Sequence, residues 1–375
     1  MMSSRLTKIV SAFEKQPVDV VDPYIPPLGQ DYVTVCLTSS NEYSPIVCVS
    51  IKSLAENSNP NRKYDVIILT KDMSVRNKEQ IIAAISANPN VSIRFVNVSN
   101  WIKNYNFHLW AHFTEFTYYR LLIPTLFKLY KKVLYLDSDT IVNVDLYNLY
   151  KLDLNEYLLA AAVDTHVMGR INDSTRADPD YYQNVLGIGG GGYFQGGVML
   201  FNVTKFNEMY GDGELIQKAN ETSYRWLDQD FLNVECKGRV KYLPNKWNLM
   251  VINNPNCIDE QHLQEPLFSD YISARKNPYI IHYIGRSIPC YNPFVDYYEY
   301  FWRYAKLTPY YELLINKMVL EREKHESARV MNILKNSEYA ALFDFVSVLF
   351  PEKSRRLTIL QKLSKNFKGK NRKRQ

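Results

Sequence analysis

Two carboxylates stand two residues apart in Asp137-Ser138-Asp139, directly after the apolar run Val133-Leu134-Tyr135-Leu136. On extended backbone, side chains at i and i+2 share a side, so both acids can converge at the end of a buried strand. Burying them without a partner is costly. A hard divalent cation, Mn2+ or Mg2+, would satisfy both and bridge to a diphosphate; the alternative is an acidic turn with two solvated carboxylates. Far downstream, His282 closes the apolar run Ile280-Ile281. It can add a nitrogen ligand to the same ion or serve as an ordinary core histidine. Asp164 closes the run Leu158–Val163, and Asp228 heads the cluster Asp228-Gln229-Asp230, where it is also placed to N-cap a helix. Arg120 precedes the Asp137 segment, either to balance nearby negative charge or to form a surface ion pair.

Elements that place these groups follow from hydrophobic pattern. Val33–Leu37, Val66–Leu69, the Ile93-Phe95-Val96 segment and Val133–Leu136 read as buried strands. Helical spacing over Ile46–Leu54, Ile81–Ile85 and Tyr118–Phe127 falls between them. Strands alternating with helices predict βαβ units and a mostly parallel sheet, whose ligands bind beyond the carboxyl ends of the strands. Further strands are expected at Leu158–Val163, Val198–Phe201 and Tyr279–Ile281, with a glycine run at 187–192 too flexible for regular structure. The predicted organisation is a lead over 1–30, a single α/β domain over 31–290, an aromatic-rich helical extension over 291–352, and a basic tail over 353–375.

Composition is that of a globular chain, with 46% hydrophobic and 22% charged residues among 375. Its 29 tyrosines suit sugar rings and wet interfaces, or fill the core edge. Five scattered cysteines, Cys36, Cys48, Cys236, Cys257 and Cys290, argue against a disulfide framework or zinc site and for a reducing compartment. The opening MMSSRLTKIVSAFEKQ lacks a signal-peptide core, and no window reaches the ~20 apolar residues of a membrane span. A cytoplasmic location follows as an expectation. Net charge is +6, but ten of the 45 basic residues lie after Glu352, with no acid beyond it. The remainder is mildly acidic, 35 basic residues against 39 acidic. In the tail, Leu357, Leu360, Leu363 and Phe367 recur at helical spacing among Lys and Arg. Such a segment can lie on an anionic membrane surface, remain solvated or touch nucleic acid non-specifically; no specific nucleic acid is expected.

The ordered set Ser40-Asn41-Glu42-Tyr43, Tyr119-Arg120-Leu121, Val133 through Thr140, Phe194-Gln195-Gly196-Gly197, Asp228-Gln229-Asp230, Leu243-Pro244-Asn245-Lys246-Trp247-Asn248 and His282-Tyr283-Ile284-Gly285 resembles the family 8 glycosyltransferases, across roughly residues 31–290. The resemblance implies a single Rossmann-like GT-A domain, a UDP-hexose donor, Mn2+ (or Mg2+), and transfer with retention of configuration to a glycan or lipid-linked acceptor. It implies that Asp137, Asp139 and His282 hold the metal and that Tyr43 stacks on the uracil. Arg120, Asp164, Asp228 and Gln229 surround the donor sugar, with Gln229 near the reactive carbon. Thr38, Ser40, Ser138, Gln195, Gly196, Gly285 and Arg286 complete the expected donor-binding set.

Five positions depart from the family pattern. Ser40 and Glu42 stand where Asp and Asn contact the uridine, and Gln195 replaces a shorter Asn. Ile288 and Cys290 replace the Lys and Trp that close the family's final motif, and Arg286 is placed to supply the missing charge on the diphosphate. These changes keep open a non-catalytic nucleotide-sugar-binding relative. A metal-dependent nucleotidyltransferase fits less well, because Thr38 to Tyr43 has neither glycine nor a basic residue.

Overall fold

The structure is a computed structural model that describes residues 24–335, apart from 110–113, 174, 176–177, 189–191 and 253–258. The basic tail, Cys257 and the middle of the glycine run lie outside the described residues. Strands are β1 Val33–Thr38, β2 Tyr64–Thr70, β3 Val91–Asn97, β4 Lys132–Leu136, β5 Thr140–Val142, β6 Leu159–Val163, β7 Phe194–Asn202, β8 Val240–Leu243, β9 Leu249–Val251 and β10 Ile280–Tyr283. Seven form one sheet in the order β3-β2-β1-β4-β7-β6-β8. Its β3, β2, β1 and β4 are parallel, as are β6 and β8, while β7 runs antiparallel to both neighbours. A second sheet orders β5-β10-β9. The mostly parallel α/β architecture read from the sequence is therefore present.

Every residue of β1 and β2 is buried, as expected of parallel strands covered on both faces. Helix α1 (Ser44–Asn57) joins them, burying Ile46, Val47, Val49, Ile51 and Leu54. Each such side chain contributes about 1.5–3 kcal/mol of apolar transfer energy. Helix α2 (Val75–Ala84), capped by the Ser74 hydroxyl accepting from Asn77 N, returns the chain to β3.

Two registers create the site. In the large sheet β1 neighbours β4, with Val35 opposite Leu134 and Cys36 opposite Tyr135. Strand order reverses there, and this opens a crevice beyond the carboxyl ends of β1 and β4. In the small sheet β10 pairs antiparallel with β5, and His282 faces Thr140. That pairing carries a residue from far downstream to the side of Asp139.

The segment expected as one helix over Tyr118–Phe127 is a 3-10 helix over Glu115–Leu122 followed by a short α turn at Ile123–Leu126. Pro124 is the cause. It has no N–H to offer the Arg120 carbonyl, which instead accepts from Ile123 N in the tighter i to i+3 pattern. The short strands β5, β8 and β9 had no alternation long enough to read. Helix α3 (Thr165–Asn172) and the turn Tyr181–Val185 close over Val167, Tyr182, Leu186, Ile188 and Tyr193.

The last residues of the lead are fixed. Ile25 is buried and its N–H donates to Leu126 O, while Pro26 O accepts from Arg94 and Tyr130. Among the described residues, one compact unit comprises 24–289 and 294–314, the other 290–293 and 315–335. Within the first, helix α5 (Tyr298–Ala305) packs on α1, and Asn57 donates to Tyr304 Oη at 2.7 Å. Cys36, Cys48, Cys236 and Cys290 are buried free thiols. Among the described residues no helix is long and apolar enough to cross a membrane.

Candidate active site at the carboxyl edge of the sheet

Asp137, Asp139 and His282 converge, with one ligand atom from each lying within 4.8 Å of the others. His282 Nε2 is 3.2 Å from Asp139 Oδ1 and 3.6 Å from Asp137 Oδ2. The acidic loop is tied down on three sides. Asp137 N donates to Gly197 O at 2.7 Å, Ser138 Oγ to Thr38 O at 2.6 Å, and Tyr135 Oη to Asp137 Oδ1 at 2.6 Å. Thr38 Oγ1 in turn lies 3.3 Å from Tyr135 Oη. Tyr43 Oη approaches Asp139 Oδ2 at 3.4 Å.

Gly197 leaves room for the imidazole: a Cβ there would lie 2.2 Å from His282 Cε1. The far side of the ring meets an amide, His282 Nδ1 to Asn248 Oδ1 at 3.1 Å. Burial disfavours the imidazolium, but Asp139 and then Asp137 outweigh it, so the ring holds its proton above its ordinary pKa.

Arg120 is buried beside this triad, and it is no surface ion pair. Its Nη1 bonds Gly196 O and lies 3.4 Å from Asp137 Oδ1, and its Nε lies 2.7 Å from Asp228 Oδ2. The Nε proton itself goes to Thr117 O at 3.0 Å, so Asp228 meets Arg120 as charge on charge. Thr117 Oγ1 donates to Asp228 Oδ1 at 2.5 Å. Asp228 does not cap its helix. It sits in the first turn of α4 (Leu227–Glu235), while Asp230 Oδ2 takes the Trp226 N–H at 2.7 Å. Burial pushes the Asp228 carboxyl up to about 6 against the opposing pull of Arg120.

Asp164 N-caps α3 by accepting from Val167 N at 2.8 Å, and burial pushes its carboxyl up to about 6 as well. Gln229 links the pieces. Its Nε2 donates to Asp164 Oδ2 at 3.1 Å and contacts Tyr193 Oη at 3.2 Å, while its Oε1 accepts from Gly196 N at 2.9 Å. The expected donor residues Asp164, Asp228, Gln229, Arg120 and Gly196 thus form one connected network. Gln195 is buried nearby, but its Oε1 accepts from Gly197 N and from Asn248 Nδ2, each at 2.6 Å, so its amide oxygen faces the support of His282.

Other expected positions lie at the rim. Ser40 Oγ accepts from Tyr43 N at 3.2 Å, and Glu42 is exposed. Gly285 adopts φ +62, a left-handed turn that favours glycine, and the next residue, Arg286, is exposed. Ile288 is fully buried, so the position of the family's Lys points into the core.

Several site residues carried no role in the sequence reading. Tyr135 was legible, since it precedes Asp137 by two and shares its strand face. Thr117 lies three residues before Arg120, one 3-10 turn away. Asp230, buried and bonded by Tyr193 and Tyr181 hydroxyls at 2.6 and 2.7 Å, underpins Tyr193 beneath Gln229. Asn248 gave no signal beyond its place in a matching motif.

The donor set suits a divalent metal. Four carboxylates, Asp137, Asp139, Asp164 and Asp228, gather around two basic groups, Arg120 and His282. Two hard oxygens and an imidazole nitrogen facing this excess negative charge match Mn2+ or Mg2+ chemistry.

Sequence comparison decides the affiliation. Residues 34–289 match the profile described as Glycosyl transferase family 8. The chain belongs to that family. A Haemophilus influenzae relative is 29% identical over 223 residues, 58% of this chain and 63% of its own length. The Escherichia coli lipopolysaccharide 1,2-glucosyltransferase is 28% identical over 178 residues, 45% of this chain and 48% of that enzyme. Among solved structures, the apo WbbM bifunctional glycosyltransferase superposes with TM-score 0.71 at 32% identity, over 78% of this chain and 53% of WbbM. The galactosyltransferase LgtC, solved with donor and acceptor sugar analogues, shares the fold at TM-score 0.58 and 23% identity, over 74% of this chain and 96% of LgtC. This chain thus spans about half to two thirds of the first of these relatives' lengths.

Proposed function

We propose that this family 8 member is a metal-dependent retaining hexosyltransferase that moves glucose or galactose from a UDP-sugar to a glycan or lipid-linked acceptor, in cell-surface polysaccharide or lipopolysaccharide synthesis. The observation that carries the reading is the convergence of Asp137, Asp139 and His282. Those three residues would hold the cation, which when bound supplies Lewis-acid neutralisation of the departing diphosphate. Tyr43, whose hydroxyl lies 3.4 Å from Asp139 Oδ2, would stack on the base, and the exposed Arg286 would meet the diphosphate.

The remaining work belongs to side chains already fixed. Asp164 and Asp228 ionise near neutral pH and would accept hydrogen bonds from sugar hydroxyls. Gln229, braced by Asp164 and Gly196, would orient the anomeric carbon for an acceptor hydroxyl. Arg120 holds Asp228 and Asp137 apart in charge and keeps Gly196 O in place. The basic tail over 353–375 would keep the enzyme at an anionic cytoplasmic membrane surface beside a lipid-linked acceptor.

A panel of nucleotide-sugars assayed for Mn2+-dependent hydrolysis and transfer tests this reading. Turnover of a UDP-hexose that stops with EDTA and in Asp139→Ala, with the fold of the variant intact by circular dichroism, is the expected result. Equal turnover in Asp139→Ala would exclude it.

A further inference from the structure

An amide chain behind the imidazole fixes which of its nitrogens faces the acids. The chain starts at the Gly197 N–H, which can only donate. It points at Gln195 Oε1 at 2.6 Å, so that atom must be the acceptor oxygen. The Asn248 group 2.6 Å from the same oxygen must then be the donor Nδ2. This leaves Asn248 Oδ1, which can only accept, 3.1 Å from His282 Nδ1. Gln195, Asn248 and His282 are all buried, so water does not compete for these positions.

We propose that Asn248 and Gln195 are positioning residues for the metal ligand: together they hold a proton on His282 Nδ1, so that the cation displaces only the Nε2 proton facing Asp139 and takes that nitrogen's lone pair. The inference rests on the metal reading above. The backbone donor at Gly197 belongs to the residue whose lack of a Cβ admits the ring, so one glycine sets both the space and, through two amides, the tautomer. The extra methylene of Gln195 explains itself here, because its amide oxygen is shared between the Gly197 and Asn248 donors. Without the relay, Asn248 could rotate to present Nδ2, and the ring would take the opposite tautomer, with its Nε2–H against the metal. Ligand-orienting partners of this kind are worth about 10–100-fold in metal affinity.

The test is one-bond proton–nitrogen NMR on the full chain labelled in histidine, metal-free and with Mg2+, together with Mn2+ titration by electron paramagnetic resonance. In the unmodified chain His282 Nδ1 carries a proton in both states. Asn248→Ala loses that protected proton and weakens Mn2+ about 10–100-fold. Asn248→Asp, which keeps an acceptor against Nδ1, retains it. Gln195→Ala gives a mixed state, because Asn248 is then free to rotate. An unprotonated Nδ1 in the unmodified chain overturns the relay whether or not Mn2+ binds. A protonated Nδ1 that responds to Asn248→Ala sustains it even if Mn2+ fails to bind, in which case the metal reading alone fails.

Discussion

Two buried arginine–aspartate pairs lie in the same domain and are built for opposite ends. In the first, Arg94 Nε meets Asp65 Oδ1 at 3.0 Å and Nη2 meets Oδ2 at 2.5 Å, a two-pronged match of one cation to one anion. The remaining donors go to Pro26 O and Tyr130 Oη, at 2.8 and 2.7 Å. In the second, Arg120 is divided among Asp228, Asp137, Thr117 O and Gly196 O. Around it, among the described residues, the acids outnumber the bases. The first pair is complete and ties the lead to the sheet. The second is short of positive charge, and that shortfall is what a bound cation would relieve. Buried ions are costly unless fully paired, so an under-compensated cluster on a well-packed sheet edge marks function, where a compensated one marks structure.

The largest expected effect comes from breaking the complete pair. Arg94→Ala leaves Asp65 buried without its counter-charge, and should lower unfolding stability by about 3–5 kcal/mol in a urea titration. The metal affinity of the fraction that remains folded should not change, since Arg94 touches nothing at the site.

The incomplete cluster should respond in the other direction. Asp164 has a carboxyl pushed up to about 6 by burial, from an ordinary value of 3.8. Between these values the folded state holds more protons than the unfolded, so stability falls as pH rises through the window and is lowest above it. Two pKa units correspond to about 3 kcal/mol. Asp164→Asn keeps the cap on Val167 and removes the buried charge, at the smaller cost of setting an N–H against the Gln229 Nε2 donor. It should therefore stabilise the protein at pH 7.5 by about 1–2 kcal/mol, with the gain vanishing near pH 4, while transfer is lost. Thermal melts across pH check this; a destabilised variant at pH 7.5 would place Asp164 with the structural pair.

The smallest effect belongs to the rim. Arg286→Ala should raise the KM for the donor about 10-fold, equivalent to about 1.4 kcal/mol, and leave the melting temperature unchanged. An unaltered KM would remove Arg286 from the diphosphate site.

How far the sequence reached follows the same division. Long parallel strands were legible because full burial makes them continuous apolar runs, and the acidic pair because it follows one of them. The 3-10 segment was misread as α because apolar spacing does not register the N–H that Pro124 removes. Strands β5 and β9 are three residues each, too short for a period. Yet β5 supplies the pairing that brings His282 to Asp139, so the triad could be listed from sequence but its assembly could not. Thr117, Asp230 and Asn248 are set by tertiary proximity across 111, 37 and 34 positions of chain to their partners Asp228, Tyr193 and His282. No local pattern encodes such distances.

Mn2+ titration of the purified chain, followed by electron paramagnetic resonance with and without Asp137→Asn, Asp139→Asn and His282→Ala, tests the central claim most directly. The account predicts one Mn2+ per chain, strengthened by UDP, and weakened at least 10-fold by each substitution with the melting temperature preserved. Mn2+ binding that is indifferent to all three substitutions would contradict it.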